Sequence, residues 1–145
     1  MSFLDDYVGL HFRYPDHYVV GREKIREYAA AVGEQNPLCH DVAAAREAGY
    51  EDVVAPPMFA AVYKWRAMKP AVLDPQIGID FSRLVHGAQE FTWHLPVVAG
   101  DEITTEAAFV EEVKRGEIKV FTFSSRSTNQ RGELVCEGTW TNFVR

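Results

Sequence analysis

The sequence is short of cysteine, of long apolar runs and of basic residues, and each shortage excludes a class of protein. Its two cysteines, Cys39 and Cys136, are far apart, so we expect reduced thiols rather than a disulfide. No run of about 18 apolar residues occurs, which argues against a membrane-spanning helix. Lys and Arg number 15 against 21 Asp and Glu, giving a net charge of −6. Phosphate binding needs clustered basic residues, so nucleic acid is not an expected partner.

Motifs for metals, phosphates and export are also missing. No group of His and Cys residues has the spacing of a zinc site, and Gly9, Gly21 and Gly33 do not form a phosphate-binding loop. Residues 1–6 are acidic and lack the cationic and then apolar pattern of a secretory signal. We therefore expect a cytoplasmic protein that needs neither a metal nor a cofactor and does not bind membranes.

What is present is the composition of an ordinary globular domain, with 145 residues of which 47% are hydrophobic and 12% aromatic. This length fits a single domain over residues 1–145 and suffices for a core without disulfides or metals. Residues 1–16 show no regular pattern, and residues 17–20 form a short strand candidate.

Three helices are predicted in the first half of the chain. Residues 22–32 carry apolar side chains on one face at three- and four-residue spacing. Asp41 can cap a second helix over residues 42–48. The third helix, residues 58–68, is apolar around most of its circumference, which is typical of a buried helix. We expect Pro70 to end it, because proline has no N–H to continue the hydrogen-bond pattern.

The second half of the chain predicts strands. Apolar and polar residues alternate, and tight turns separate the last three segments. The predicted strands cover residues 84–94, 103–109, 118–127 and 133–143. An antiparallel sheet needs one face covered, and the apolar third helix is the natural cover. We therefore predict an α+β fold in which an antiparallel sheet wraps around a central helix, with a sheet edge left for a dimer partner.

The segment richest in chemistry is residues 33–41, GEQNPLCHD. Within seven residues it holds a carboxylate, an amide, a thiol and an imidazole, from Glu34, Asn36, Cys39 and His40. A carboxylate and an imidazole can together hold a water molecule and move its proton. The segment therefore predicts a site for water addition or removal.

Three segments together resemble the MaoC-like (R)-specific enoyl-thioester hydratases and 3-hydroxyacyl-thioester dehydratases. In that family the first segment reads glycine, aspartate, any residue, asparagine, proline, an aliphatic residue and histidine, which residues 33–41 approach. Residues 55–59, APPMF, match the opening of the family's central helix. Residues 91–101, FTWHLPVVAGD, match its strand, proline and glycine-aspartate turn. The resemblance implies a hot-dog fold.

Within that family the chain is similar to the FAS1-like dehydratase group, through Glu34, residues 39–41, Ala45, residues 49–50 and residues 55–57. It resembles the A-type and C-type subunits of the actinobacterial heterodimeric (3R)-hydroxyacyl-ACP dehydratase. There the B-type subunit carries the catalytic aspartate and histidine, and its partner shapes the acyl-chain channel. The resemblance implies an acyl-CoA or acyl-ACP thioester as ligand, and a homodimer or a heterodimer with another hot-dog subunit.

The residues that the family uses for catalysis differ in this chain. In the family an aspartate and a histidine hold the water, and a glycine N–H polarises the thioester carbonyl. Here Glu34 takes the aspartate position, Cys39 takes the histidine position with His40 beside it, and Pro57, which has no N–H, takes the glycine position. We therefore favour an accessory subunit that pairs with a catalytic hot-dog partner. The alternatives are an active homodimeric hydratase with Glu34 and His40 as catalytic residues, and a non-enzymatic acyl-thioester binding protein.

The resemblance also implies substrate-binding positions in the first two segments. These are Asn36, Cys39, Pro57, Met58 and Phe59. Several residues have a plainer interpretation: Glu34 can be a solvated acid, and Asn36 can bond the loop backbone. Cys39 can be a small buried hydrophobe, and His40 can brace the loop by bonding Asp41 or a backbone carbonyl.

Basic and imidazole side chains elsewhere leave two interpretations open. Lys64, Arg66, Lys69 and Arg83 lie on or near the third helix. They can meet an acidic carrier protein or the phosphates of coenzyme A, or they can form a solvated face. His86 and His94 lie on a predicted strand, where a lone histidine is usually packed or hydrogen-bonded.

Overall fold

The computed structural model describes residues 10–145 and arranges them as three helices and an antiparallel sheet. The helices are α1 (Arg22–Ala31), α2 (Val42–Glu47) and α3 (Ala60–Val72). The strands are β1 (His11–Arg13), β2 (Tyr18–Val19), β3 (Leu84–Trp93), β4 (Glu102–Arg115), β5 (Ile118–Thr128) and β6 (Leu134–Val144). Within residues 10–145, none of the helices has the length and apolar character needed to cross a membrane.

The sheet has the strand order β1-β4-β5-β6-β3, with antiparallel neighbours throughout, and β2 also pairs with β4. The predicted meander of β4, β5 and β6 is confirmed. The long strand β3 joins it beside β6, and it forms one edge of the sheet. Among the described strands none pairs with the outer side of β3, so its outward backbone groups are open to a partner.

Strand β1 was not predicted from the sequence. Residues 1–16 showed no regular pattern, but β1 pairs with β4, Phe12 lying opposite Ala107. A strand of three residues is too short to show alternation, and its conformation comes from its pairing with β4. Residues 1–9 of that predicted irregular segment lie outside the described part of the chain.

Helix α3 packs across one face of the sheet, as predicted, and its buried face is continuous. Its first half joins a cluster with Phe59, Ile25 and Val135, and its second half packs against Phe121 and Phe123 of β5. Each fully buried side chain of this size contributes about 1.5–3 kcal/mol relative to an exposed one. Helix α3 therefore contributes side chains to both buried clusters and packs each of them against the sheet.

The prediction that Pro70 ends the third helix is wrong. The α-helix begins at Ala60, after a 3₁₀ turn at Pro57–Phe59, and continues through Pro70 to Val72. Backbone hydrogen bonding resumes beyond the proline, since the Leu73 N–H donates to Lys69 O at 3.0 Å. A proline inside a helix costs about 3 kcal/mol. Here the extra turn buries Ala71 and Val72 against the sheet, which offsets that cost.

The third helix is also not apolar on every side. Met58 and Trp65 are exposed, although both belonged to the apolar pattern that predicted burial. Conversely, Lys64 has 0% of its surface exposed, so it neither forms a solvated face nor lies free to meet a phosphate. Its ammonium donates to Ser127 Oγ at 2.9 Å and to Cys136 O at 3.0 Å. Both interpretations that the sequence offered are therefore wrong for Lys64.

Gly87 allows a close contact between β3 and β6. The register of the two strands shifts between His86 and Ala88, and a Cβ built on Gly87 would lie 2.0 Å from Cε2 of Phe143. We expect Gly87→Ala to lower the free energy of unfolding by about 1–3 kcal/mol, because the Phe143 ring must move. Urea denaturation measures this change. In a Phe143→Leu background the loss should shrink, and an equal loss in both backgrounds would contradict the proposed clash.

Candidate functional site

The loop of residues 33–41 begins where α1 ends in a Schellman turn. Gly33 has φ 73°, a left-handed conformation that glycine adopts without strain. The Gly33 N–H donates to Ala30 O at 3.2 Å, and the Glu34 N–H donates to Ala29 O at 2.8 Å. These bonds turn the chain sharply away from α1 and place Glu34 at the start of the loop.

Two side chains then fix the loop backbone. Asn36 accepts from the Leu38 N–H at 3.0 Å, and the 3₁₀ turn Pro37–Cys39 follows. Asp41 accepts from the Ala43 N–H at 2.8 Å and caps α2, as predicted. The interpretation of Asn36 as a residue that bonds the loop backbone is therefore confirmed, while its role toward a substrate stays a prediction.

His40 faces back across the loop toward Glu34, but it meets the backbone rather than the carboxylate. Its Nε2 donates to Glu34 O at 2.6 Å, and the ring is half-buried. Arg26 Nε donates to the His40 carbonyl oxygen at 2.9 Å. A carbonyl oxygen only accepts, so Nε2 carries the proton and Nδ1 is the acceptor in the neutral ring. This matches the loop-bracing interpretation, and a catalytic role for His40 stays a prediction.

The carboxylate of Glu34 is also bonded within the loop. Its Oε1 accepts from the Asn36 N–H at 2.9 Å. Next to it, Cys39 is buried, and burial raises the pKa of its thiol, with the negative charge of Glu34 raising it further. A neutral buried thiol is neither a nucleophile nor a metal ligand. The structure thus brings Glu34, Cys39 and His40 together, with the acid and the imidazole both bonded to the loop's own backbone.

Backbone hydrogen bonds join this loop to the other two segments of the motif. The Val54 N–H donates to Leu38 O at 2.8 Å, and the Ala55 N–H donates to Val97 O at 2.8 Å. Trp93 Nε1 donates to the carbonyl oxygen of Pro57 at 2.8 Å. Three segments that are distant in sequence therefore meet at the start of α3.

An apolar cavity of about 350 Å³ opens at this junction. It is lined by residues 54–57, Tyr63 and residues 93–97. Of the predicted site residues Pro57 lines it, whereas Met58 is exposed and Phe59 is fully buried. The Phe59 ring packs edge-on against Tyr28 at a centroid distance of 5.4 Å, which indicates a core role.

Sequence reasoning missed several residues of this cavity. Trp93 and Tyr63 both line the cavity. Burial raises the pKa of the Tyr63 hydroxyl. His94 also lines the cavity and pairs with Glu137, Nε2 to Oε2, at 3.0 Å. His86 bonds Ala88 O through Nε2, so both strand histidines are hydrogen-bonded, as predicted. The cavity residues come from a strand end and a helix face, a combination that no local spacing reveals.

Comparison with known proteins gives a consistent result. Residues 6–138 match the family described as FAS1-like, dehydratase domain region. A UPF0336 protein from Saccharopolyspora erythraea is 42% identical over 146 aligned positions, covering 100% of this chain and 93% of that protein. A chain of the C-terminally truncated HadBC (3R-hydroxyacyl-ACP dehydratase) complex from Mycobacterium tuberculosis is 30% identical with a TM-score of 0.82, covering 93% of this chain and 95% of that chain.

A more distant structure shares the fold alone. The R-hydratase PhaJ1 from Pseudomonas aeruginosa is 20% identical, with a TM-score of 0.73, covering 95% of this chain and 81% of that one. The neighbours share the antiparallel sheet and its central helix. The predicted hot-dog fold is therefore confirmed.

Proposed function

Because the chain belongs to the FAS1-like dehydratase family, we propose that it is an accessory subunit of a cytoplasmic (3R)-hydroxyacyl-thioester dehydratase in fatty acid metabolism. Its catalytic partner is a second hot-dog subunit with an intact aspartate and histidine. The observation that carries this proposal is the closed hydration loop, in which His40 bonds Glu34 O and Glu34 bonds the Asn36 N–H.

Hydration of an enoyl thioester needs three groups at one place. A base takes the proton of water, an acid protonates the α-carbon, and a donor stabilises the charge on the thioester oxygen. In this chain Pro57 has no N–H for that oxygen, and the N–H of Phe59 donates to Pro56 O at 2.9 Å. A misplacement of about 1 Å can cost roughly a hundredfold in rate. A partner subunit that supplies the acid, the base and the donor would provide all three groups that the reaction needs.

The surface for that partner is the open edge of the sheet along β3. Val85 near the start of this strand is 52% exposed, and Trp93 at its end is 47% exposed. An exposed edge strand with open backbone groups readily pairs with another chain. The HadBC complex contains two kinds of subunit by name, which supports a heterodimer here. Pairing along β3 would place the cavity beside Trp93 at the boundary between subunits, where it can hold part of an acyl chain.

Turnover of a trans-2-enoyl thioester by the purified chain alone and with a catalytic hot-dog partner tests the proposal. We expect no hydration by the chain alone, and activity toward longer acyl chains when the partner is present. His40→Ala should leave the rate of the assembled enzyme within about fivefold, because the bond it breaks braces a loop and contributes about 1 kcal/mol.

Gln35→Ala is the matched control, since Gln35 is an exposed residue of the same loop. Turnover by the chain alone that His40→Ala abolishes and Gln35→Ala preserves would instead identify a homodimeric hydratase. Thioester binding without turnover in either setting would identify a binding protein.

A further inference from the structure

A separate pocket of about 220 Å³ lies at the opposite end of β3 from the cavity beside Trp93. It forms where the turn before β3 meets the start of β5 and the end of β6. Its apolar part comes from two buried residues, Phe121 and Val144. Its charged lining residues are Asp80, Arg83, Glu117, Lys119 and Arg145. So many charges suit the pocket to a charged group rather than to a hydrocarbon chain.

Three of these charged side chains are cations, and two of the three have no partner in the fold. Lys119 pairs with Glu112, Nζ to Oε1, at 3.3 Å. Within residues 10–145, neither the Arg83 nor the Arg145 guanidinium has an ion pair or a hydrogen-bond acceptor. A guanidinium binds phosphate or carboxylate through two parallel N–H···O bonds. Two such groups in one pocket therefore indicate a site for an anion.

The two acids of the pocket do not cancel its cations. Asp80 Oδ1 accepts from the Ser82 N–H at 3.1 Å and from the Ser82 hydroxyl at 2.6 Å, so the turn itself partly satisfies this carboxylate. Glu117 lies in the turn between β4 and β5 and is exposed, so water and salt screen its charge. Among the lining residues three positive charges stand against two negative ones, in a chain whose net charge is −6. The pocket is therefore a positive place on an acidic protein.

Pairing along β3 brings this pocket toward the partner's reaction site, a step that rests on the proposed function. Arg83 immediately precedes β3, and the cavity beside Trp93 lies about 30 Å away at the other end of that strand. Two subunits that pair through the same edge strand about a two-fold axis run antiparallel. The start of β3 in this chain then lies beside the end of the partner's β3, where a partner of the same fold carries its catalytic loop.

We propose that the pocket binds the phosphate of the thioester carrier while the acyl group reacts in the partner subunit. Coenzyme A and acyl carrier protein both hold the acyl group on a phosphopantetheine arm, so the shared chemistry is a phosphate ester. By ordinary bond lengths the phosphate lies roughly 15 Å from the thioester sulfur. The pocket extends from the turn before β3 across β6 to β5, roughly 10 Å in from the sheet edge. An arm of that length spans the distance from the partner's site to Arg83.

Phosphopantetheine and pantetheine test the pocket on the full chain alone, because they differ only in the phosphate. We expect phosphopantetheine to bind roughly tenfold more tightly, with an affinity that falls as salt is added. Arg83→Gln and Arg145→Gln should each reduce this preference to about threefold or less, and Glu117→Gln should increase it. Arg13→Gln is the matched control, since Arg13 is an exposed arginine on β1 at the far edge of the sheet. Equal affinities of the unmodified chain for the two compounds would overturn the proposal.

Turnover by the assembled enzyme tests the use of the pocket in the reaction. With Arg83→Gln we expect the KM for an enoyl-CoA to rise about fivefold at unchanged kcat, and the KM for the matching pantetheine thioester to stay the same. The same comparison with the acyl carrier protein thioester identifies the carrier. A KM that rises equally with and without the phosphate, or that rises for neither phosphate carrier, would also overturn the proposal. Absence of turnover by the assembled enzyme, with phosphopantetheine still bound by the chain, would contradict the proposed function alone.

Discussion

Lys64→Met should remove a strong dependence of stability on alkaline pH. The ammonium of Lys64 is buried in the core, and burial lowers its pKa from the ordinary value of 10.5 to about 8. Methionine has a similar shape and no charge. The quantity to compare is the free energy of unfolding of the variant minus that of the unsubstituted chain. We expect this difference to fall by about 3 kcal/mol between pH 7 and pH 10.5.

The sign follows from which state holds the proton. Below pH 8 both the folded and the unfolded chains carry the ammonium, so the stability difference does not change with pH. Between about pH 8 and pH 10.5 the unfolded chain keeps the proton and the folded chain has lost it. Unfolding then takes up a proton, so the stability of the unsubstituted chain rises with pH in this window. The methionine variant has no such gain.

Neighbouring groups titrate in the opposite sense and need a control. Burial raises the pKa values of the Cys136 thiol and the Tyr63 hydroxyl, and groups of this kind lose stability as pH rises. Both proteins are therefore compared in a Cys136→Ala background, which keeps the backbone carbonyl that Lys64 bonds. Urea denaturation at several pH values measures the difference. Parallel stability curves from pH 7 to pH 10.5 would show that the pKa of Lys64 is not lowered in the folded state.

Lys64→Arg is a useful comparison because a guanidinium keeps its charge at every pH in this range. The larger group must also fit where the ammonium now bonds Ser127 and Cys136. We expect this variant to be less stable than the lysine form throughout, with the difference growing above pH 8. That pattern would separate the effect of charge from the effect of size.

The sequence predicted the local structure of this chain well, because the signals concerned are local. Alternation and tight turns predicted β4, β5 and β6, and the apolar pattern of residues 58–68 predicted the central helix. The burial of Lys64 could not be predicted in this way. Its acceptors lie 63 and 72 residues further along the chain, and only the folded sheet brings them to the helix.

In the candidate site, too, local features could be predicted from the sequence and contacts between distant segments could not. The resemblance of residues 33–41 to the family motif indicated the family, and the loop does gather Glu34, Cys39 and His40. The orientation of His40 depends on the Schellman turn at Gly33 and on the Glu34 carbonyl, which the pattern of residue types does not encode. The cavity beside Trp93 was missed because it forms only when β3, the segment at 54–57 and α3 meet.

Val85→Lys should weaken assembly of the chain with the proposed catalytic hot-dog partner while leaving the isolated chain folded. Val85 lies on the open edge strand β3 and is exposed, so its replacement removes little buried area from the monomer. We expect the free energy of unfolding of the isolated chain to change by about 0.5 kcal/mol or less. A lysine on an edge strand opposes pairing, because its ammonium would have to be desolvated at the interface.

The assembled enzyme should lose roughly tenfold or more of its affinity between subunits, and its turnover of long enoyl thioesters should fall in parallel. Size-exclusion chromatography and a hydration assay measure the two effects. Val110→Lys is the matched control, since Val110 is a similarly exposed valine on β4, away from the β3 edge. If Val85→Lys assembles and turns over like Val110→Lys, the partner does not pair along β3. Loss of assembly in both variants would instead point to a general effect of added charge.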